Sequence, residues 1–247
     1  MFEDVKLPKR ITPSPIVESV FEIRFTSDIP GTALCGLFYP VISRFFPETS
    51  IEELPILQLP PVIRDNDPNL KFQPHYRLTN DNHIFSFGQN SMSFGCTAPY
   101  SGWQRWSDFF LPIIEGLTEI DTLKNIQINR LGLRYIDHID GNLFEHTKTS
   151  FCISDTSLAP FNTQIHSEFV ENNMTIIMTM ANGMRQPKKG PFSVLDIDCV
   201  QNCNVSFALL VKKLIEDKCL DALHQTNKKY FFGLLKDDFL ASLSPEY

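Results

Sequence analysis

The sequence predicts an α+β protein, with antiparallel sheets packed against three helical regions and a long C-terminal helix. Three observations predict it. Several stretches alternate apolar and polar residues with period two, the mark of a half-buried strand. Apolar residues recur at helical spacing in three separate places. The strand-like stretches are clustered and joined by short turns, which favours antiparallel pairing over a parallel sheet with crossover helices. One α+β domain over 1–247 is expected, with sub-lobes 11–140 and 141–247 as an internal division. No residue-level repeat links the two halves.

Pro8, Pro13 and Pro15 make residues 1–15 an extended arm. Ile16 to Phe25 is the first strand: Val17, Ser19, Phe21, Ile23 and Phe25 form one face, Glu18, Val20, Glu22 and Arg24 the other. Leu34, Leu37, Phe38, Val41, Ile42 and Phe45 fall at helical spacing, with Pro40 inside the run, where a kink or a split into two short helices is expected. Residues 48–70, with Pro55, Pro60, Pro61 and Pro68, read as irregular or edge-strand structure. Lys71–Thr79, Ile84–Gly88 and Ser91–Cys96 read as a meander.

Ser101, with Gln104 three residues on, is the expected capping box of a helix whose stripe is Trp103, Trp106, Phe110, Ile113, Ile114 and Leu117. Ile126–Ile139 is the longest strand. It places Leu131, Leu133, Tyr135, Asp137 and Ile139 on one face, and Arg130, Gly132, Arg134, Ile136, His138 and Asp140 on the other. Phe151–Ser154, Phe161–Glu171, Met174–Met180 and Phe192–Val200 form a second antiparallel set, with Asn172-Asn173 as a hairpin turn. Ser93-Phe-Gly-Cys and Asn182-Gly-Met read as turns, and Gln186–Pro191 as an exposed basic loop. The end is helical, with Asn204 as its expected cap and a break near Asp217–Asp221.

Composition narrows the function. Of 247 residues, 43% are hydrophobic and 21% charged, which is ordinary for a globular chain. The net charge of −7 does not favour nucleic-acid binding, which calls for a basic stripe. No run approaches the ~18 apolar residues of a membrane span. Met1-Phe-Glu-Asp-Val-Lys lacks the layout of a signal peptide, so a cytoplasmic location is expected and no membrane contact. The six cysteines show no CxxC pair and read as reduced thiols. There is no GxSxG, Walker loop, GxGxxG or kinase set, so no catalytic residue and no cofactor are assigned.

Glu18, Glu22 and Arg24 on the first strand, with Arg130 and Arg134 on the longest, form the leading candidate site, together with Tyr135. Two guanidinia on one strand face suit a phosphate or carboxylate, and Gly132 between them allows close approach. A purely structural ion network explains the same residues. Asp137, His138 and Glu18 are the residues a metal-dependent hydrolase would use, but adjacent strand residues face opposite ways. His75, His83, His146 and His166 lack metal-ligand spacing. Trp103 and Trp106 could stack a ligand, or sit on the buried stripe.

Pro15-Ile-Val-Glu-Ser-Val-Phe-Glu-Ile-Arg-Phe25 and Arg130-Leu-Gly-Leu-Arg-Tyr-Ile136, with Leu223-His224 and Phe231-Phe232, resemble the signature segments of a sporadically distributed family of uncharacterised bacterial proteins of similar length. The resemblance implies no reaction and no catalytic residue. Sporadic distribution implies mobile cassettes, such as phage defence or toxin–antitoxin pairs. The expected function is therefore a non-catalytic binding or regulatory protein acting with a co-encoded protein partner. An anion or nucleotide sensor is the alternative, and a metal-dependent hydrolase or nuclease ranks third.

Overall fold

The computed structural model describes residues 2, 5–158, 162–185 and 190–247. The basic loop expected over 186–191 lies mostly outside them. In chain order the elements are β1 (Ile16–Thr26), α1 (Gly31–Ile42), β2 (Glu52–Glu53), α2 (Pro61–Asn66), β3 (Tyr76–Asn80), β4 (His83–Phe87), β5 (Ser91–Thr97), α3 (Trp103–Thr118), β6 (Gln127–Asp140), α4 (Leu143–His146), β7 (Phe151–Ile153), β8 (Thr156–Leu158), β9 (Gln164–Glu171), β10 (Met174–Arg185), β11 (Pro191–Ser206), α5 (Leu210–Ile215), α6 (Cys219–Leu234) and α7 (Asp237–Ser242). Nine strands form one antiparallel sheet in the order β2-β3-β4-β5-β1-β6-β11-β10-β9. The α+β class is as expected, and β1 and β6 are neighbours.

The chain divides into two compact units. A central unit comprises Ser19–Gly132 and Gln201–Asp221; a terminal unit comprises Met1–Glu18, Leu133–Val200 and Ala222–Tyr247.

In the central unit, Phe21, Phe85, Phe87 and Phe94 of the strands meet Phe38 of α1 and Trp106 and Phe110 of α3, all fully buried. Rings lie 5.2 Å apart for Phe21–Phe110 and 5.3 Å for Phe38–Phe87. Phenylalanine suits this layer because flat rings fill the gap between a pleated sheet and a helix. α1 runs through Pro40, which removes one helical hydrogen bond without ending the helix.

In the terminal unit, Leu133, Tyr135 and Ile139 of β6, Leu195 and Ile197 of β11, and Met174, Ile176, Met178 and Met180 of β10 are buried on the face that carries α6, whose Leu223 and Tyr230 are fully buried. Asn227 of α6 donates Nδ2 to the backbone oxygen of Ile197 at 2.7 Å, tying the helix to the sheet.

Several expectations change. The capping box does not form: Gly102, at φ 97°, is the cap of α3, with no side-chain hydrogen bond, and Gln104 bonds Asp108 instead. The left-handed Gly102 turns the chain into the helix one residue after Ser101. Asn204 lies inside β11, which continues to Ser206. The strand expected from Lys71 starts at Tyr76, because the Asp67 carboxylate and a turn closing Gln73 onto Leu70 hold the preceding residues. Residues 48–70 include a short helix that begins at Pro61, where the missing N–H is unneeded. Ser93–Cys96 and Asn182-Gly183 belong to strands, the latter at a register shift where Gly183 takes φ 74°. The terminal helical stretch is three helices, with the break at Lys218.

Candidate functional site

Strand alternation decides which way each charge points. In the central unit, the outward residues of β1 and β6 bring Glu22, Arg24 and Arg130 together. Glu22 Oε2 accepts from Arg24 Nε at 2.8 Å and from Arg130 Nη1. The Arg24 guanidinium lies 4.5 Å from the centre of the Phe72 ring, a cation–π contact. One carboxylate thus serves two guanidinia, and the Arg130 side chain is only 14% exposed.

Arg134 belongs to the other unit and has another partner. Its Nε and Nη2 donate to Asp196 Oδ1 and Oδ2 at 2.8 and 2.5 Å, a bidentate fork. That bond with Asp196 raises the Arg134 pKa, aided by the charges of Asp196, Asp198 and Glu18, while burial opposes the shift. Three carboxylates therefore surround one guanidinium.

Tyr135 faces the opposite way from both arginines and is 5% exposed. Its hydroxyl lies 3.1 Å from His224 Nδ1 of α6, so it joins the core rather than the ionic face. Burial, and the charge of Lys228, push the His224 pKa down to about 3. Asp137 is 2% exposed, and its Oδ1 has no hydrogen-bond partner among the described residues. Burial, with the Asp196 charge behind it, pushes the Asp137 pKa well above the ordinary carboxylate range. His138 faces the other side, its ring 4.6 Å from Phe192. Asp137 and His138 cannot converge on one reacting atom.

Among the described residues no three His, Cys, Asp or Glu side chains are grouped to hold a metal. All six cysteines are free thiols. Trp106 is fully buried on the α3 stripe, with Trp103 half-buried against it at 5.9 Å. No helix of the described residues is long and apolar enough to cross a membrane.

Sequence reasoning missed Asp196 and Asp198, the carboxylates that complete the Arg134 cluster. Their signal was the alternation Val194-Leu-Asp-Ile-Asp198, which puts both on one face. Nothing local says that this strand lies beside β6.

No family model and no curated protein matches this chain.

Proposed function

We propose that this chain is a non-catalytic binding protein of the cytoplasm that docks a basic protein encoded beside it, as in a phage-defence or toxin–antitoxin cassette. The observation that carries the reading is the group of three carboxylates, Glu18, Asp196 and Asp198, whose charges act on Arg134. Glu18, Asp196 and Asp198 share an outward face with half-exposed Ile136, Val194 and Ile177, and Ile177 pairs directly with Asp198. The helices α4 and α6 make their contacts on the inner face, through Asn182 and Ser193, and through Tyr135 and Asn227. Apolar positions ringed by acidic ones suit a basic partner: burial supplies affinity and complementary charge supplies rate and specificity. The resemblance to a sporadically distributed bacterial family supports the cassette context.

Co-expression with the product of the adjacent gene tests the reading. The two proteins should co-elute at low salt and separate as salt rises. The double charge reversal Glu18→Lys with Asp198→Lys should weaken the complex about tenfold or more, through lost attraction and new repulsion. Absence of co-elution at low salt, or a complex indifferent to that reversal, would sink it.

One observation favours a second reading. In the Glu22 cluster the Arg24 and Arg130 guanidinia converge on one carboxylate, and Arg24 is already stacked on Phe72. This cluster, rather than Arg134, suits an anion or nucleotide. Thermal-shift titration with inorganic pyrophosphate and with a nucleoside triphosphate checks it. A rise in melting temperature that Arg130→Ala removes supports a ligand; no rise with either probe rejects one.

A further inference from the structure

The sheet ends on two unlike strands. β2 is only Glu52–Glu53, a short acidic edge with little to offer another chain. β9 runs eight residues, Gln164-Ile-His-Ser-Glu-Phe-Val-Glu171, and pairs with β10 in unbroken register. It carries no Pro, Gly or Lys. Gln164, His166, Ser167, Glu168 and Val170 are exposed, Val170 at 72%. On the side away from β10, every second residue of an end strand turns its N–H and C=O outward. Such edges are usually blunted by prolines, lysines, bulges or brevity, and β9 has none of these.

The strand is also its own complement. Two copies can be laid antiparallel with Ser167 of each on a two-fold axis. His166 then faces the second copy's Glu168, and Glu168 faces the second copy's His166. Gln164 faces Val170 on the same side. On the other side Ile165 meets Phe169, twice. Moving the axis by one residue spoils this. Centred on Glu168, the carboxylate faces itself; centred on His166, the imidazole does. The His166 ring is already oriented, with Nδ1 3.0 Å from Thr179 Oγ1. When Nδ1 accepts the Thr179 hydroxyl, Nε2 carries the proton and is the donor for a facing carboxylate.

We propose that β9 is a dimerisation edge, joining a second copy of this chain by antiparallel strand addition about Ser167. Symmetry makes the contact isologous and closed, so pairing stops at two copies. The proposal is independent of any basic partner, because it uses the strand edge and not the outward face around Arg134.

Sedimentation velocity from low micromolar to sub-millimolar concentration tests it on the full chain. The wild type should move from monomer to dimer. Glu168→Lys and His166→Glu should each raise the dimer dissociation constant about tenfold or more, the first by removing both carboxylates that accept from the facing imidazole, the second by setting carboxylates face to face twice. The double variant His166→Glu with Glu168→Lys should restore the dimer. In a Cys152→Ser background, Ser167→Cys should give a disulfide-linked dimer under mild oxidation, since facing Cα atoms lie about 4.5–5.5 Å apart. Gln164→Cys in the same background should not, because residue 164 faces residue 170. A wild type that stays monomeric overturns the proposal. So does a dimer that either single reversal leaves intact, that the double variant fails to restore, or that Ser167→Cys fails to trap.

Discussion

Buried Asp137 and His224 set opposite pH dependences. The folded His224 pKa is about 3, against an ordinary 6.5, so the unfolded chain binds that proton more readily. Its contribution is complete above pH 6.5 and is lost as pH falls from there towards 3. Asp137 runs the other way. Its folded pKa lies well above 3.8, so its contribution is complete below 3.8 and is lost as pH rises towards the folded value. Two outcomes follow in melting experiments across pH. His224→Gln should flatten the loss of stability on the acid side. Asp137→Asn should raise the melting temperature at pH 8 by more than at pH 5, because the variant has no carboxyl to hold protonated. Glu22 offers a charge test: Glu22→Gln replaces the carboxylate that Arg24 and Arg130 share by a neutral acceptor and should cost about 1–2 kcal/mol, discounted for partial exposure. The inward and outward assignment of these residues was legible, because strand period dictates it. The Tyr135–His224 contact was not: 89 residues separate the pair, and no local pattern names a partner that distant.

At the scale of elements, two positions decide how helices sit. Gly116 of α3 lies where a Cβ would fall 2.8 Å from Val41 Cγ1 of α1, so the helices approach closely at that point. Gly116→Ala should force them apart and destabilise by about 1–3 kcal/mol in denaturant unfolding, despite alanine's better helix propensity. Lys218 breaks the terminal helical stretch at φ 54°, a left-handed conformation that costs a side chain. Lys218→Gly should stabilise by up to about 1 kcal/mol. The break was readable as a change of apolar stripe near Asp217–Asp221. The cap of α3 was not, because a capping box and a left-handed glycine occupied adjacent positions and only backbone geometry chose between them.

At the scale of the whole molecule, the period of the apolar residues and the chemistry of the turns determined the α+β class, the placing of Glu18, Glu22, Arg24, Arg130 and Arg134 on outward faces, and the hairpin at Asn172-Asn173, whose φ values of 51° and 62° suit that turn. These are short-range properties, set by bond geometry within a few residues. Strand order was decided only in three dimensions, by which apolar faces could be buried together. That order gave Arg130 to Glu22 and Arg134 to Asp196, dividing between two units a cluster that reads as one along β6. It also left β9 at the end of the sheet. A strand's alternation is the same at an edge as in the middle, so only its neighbours determine whether its outer hydrogen bonds remain open to another chain.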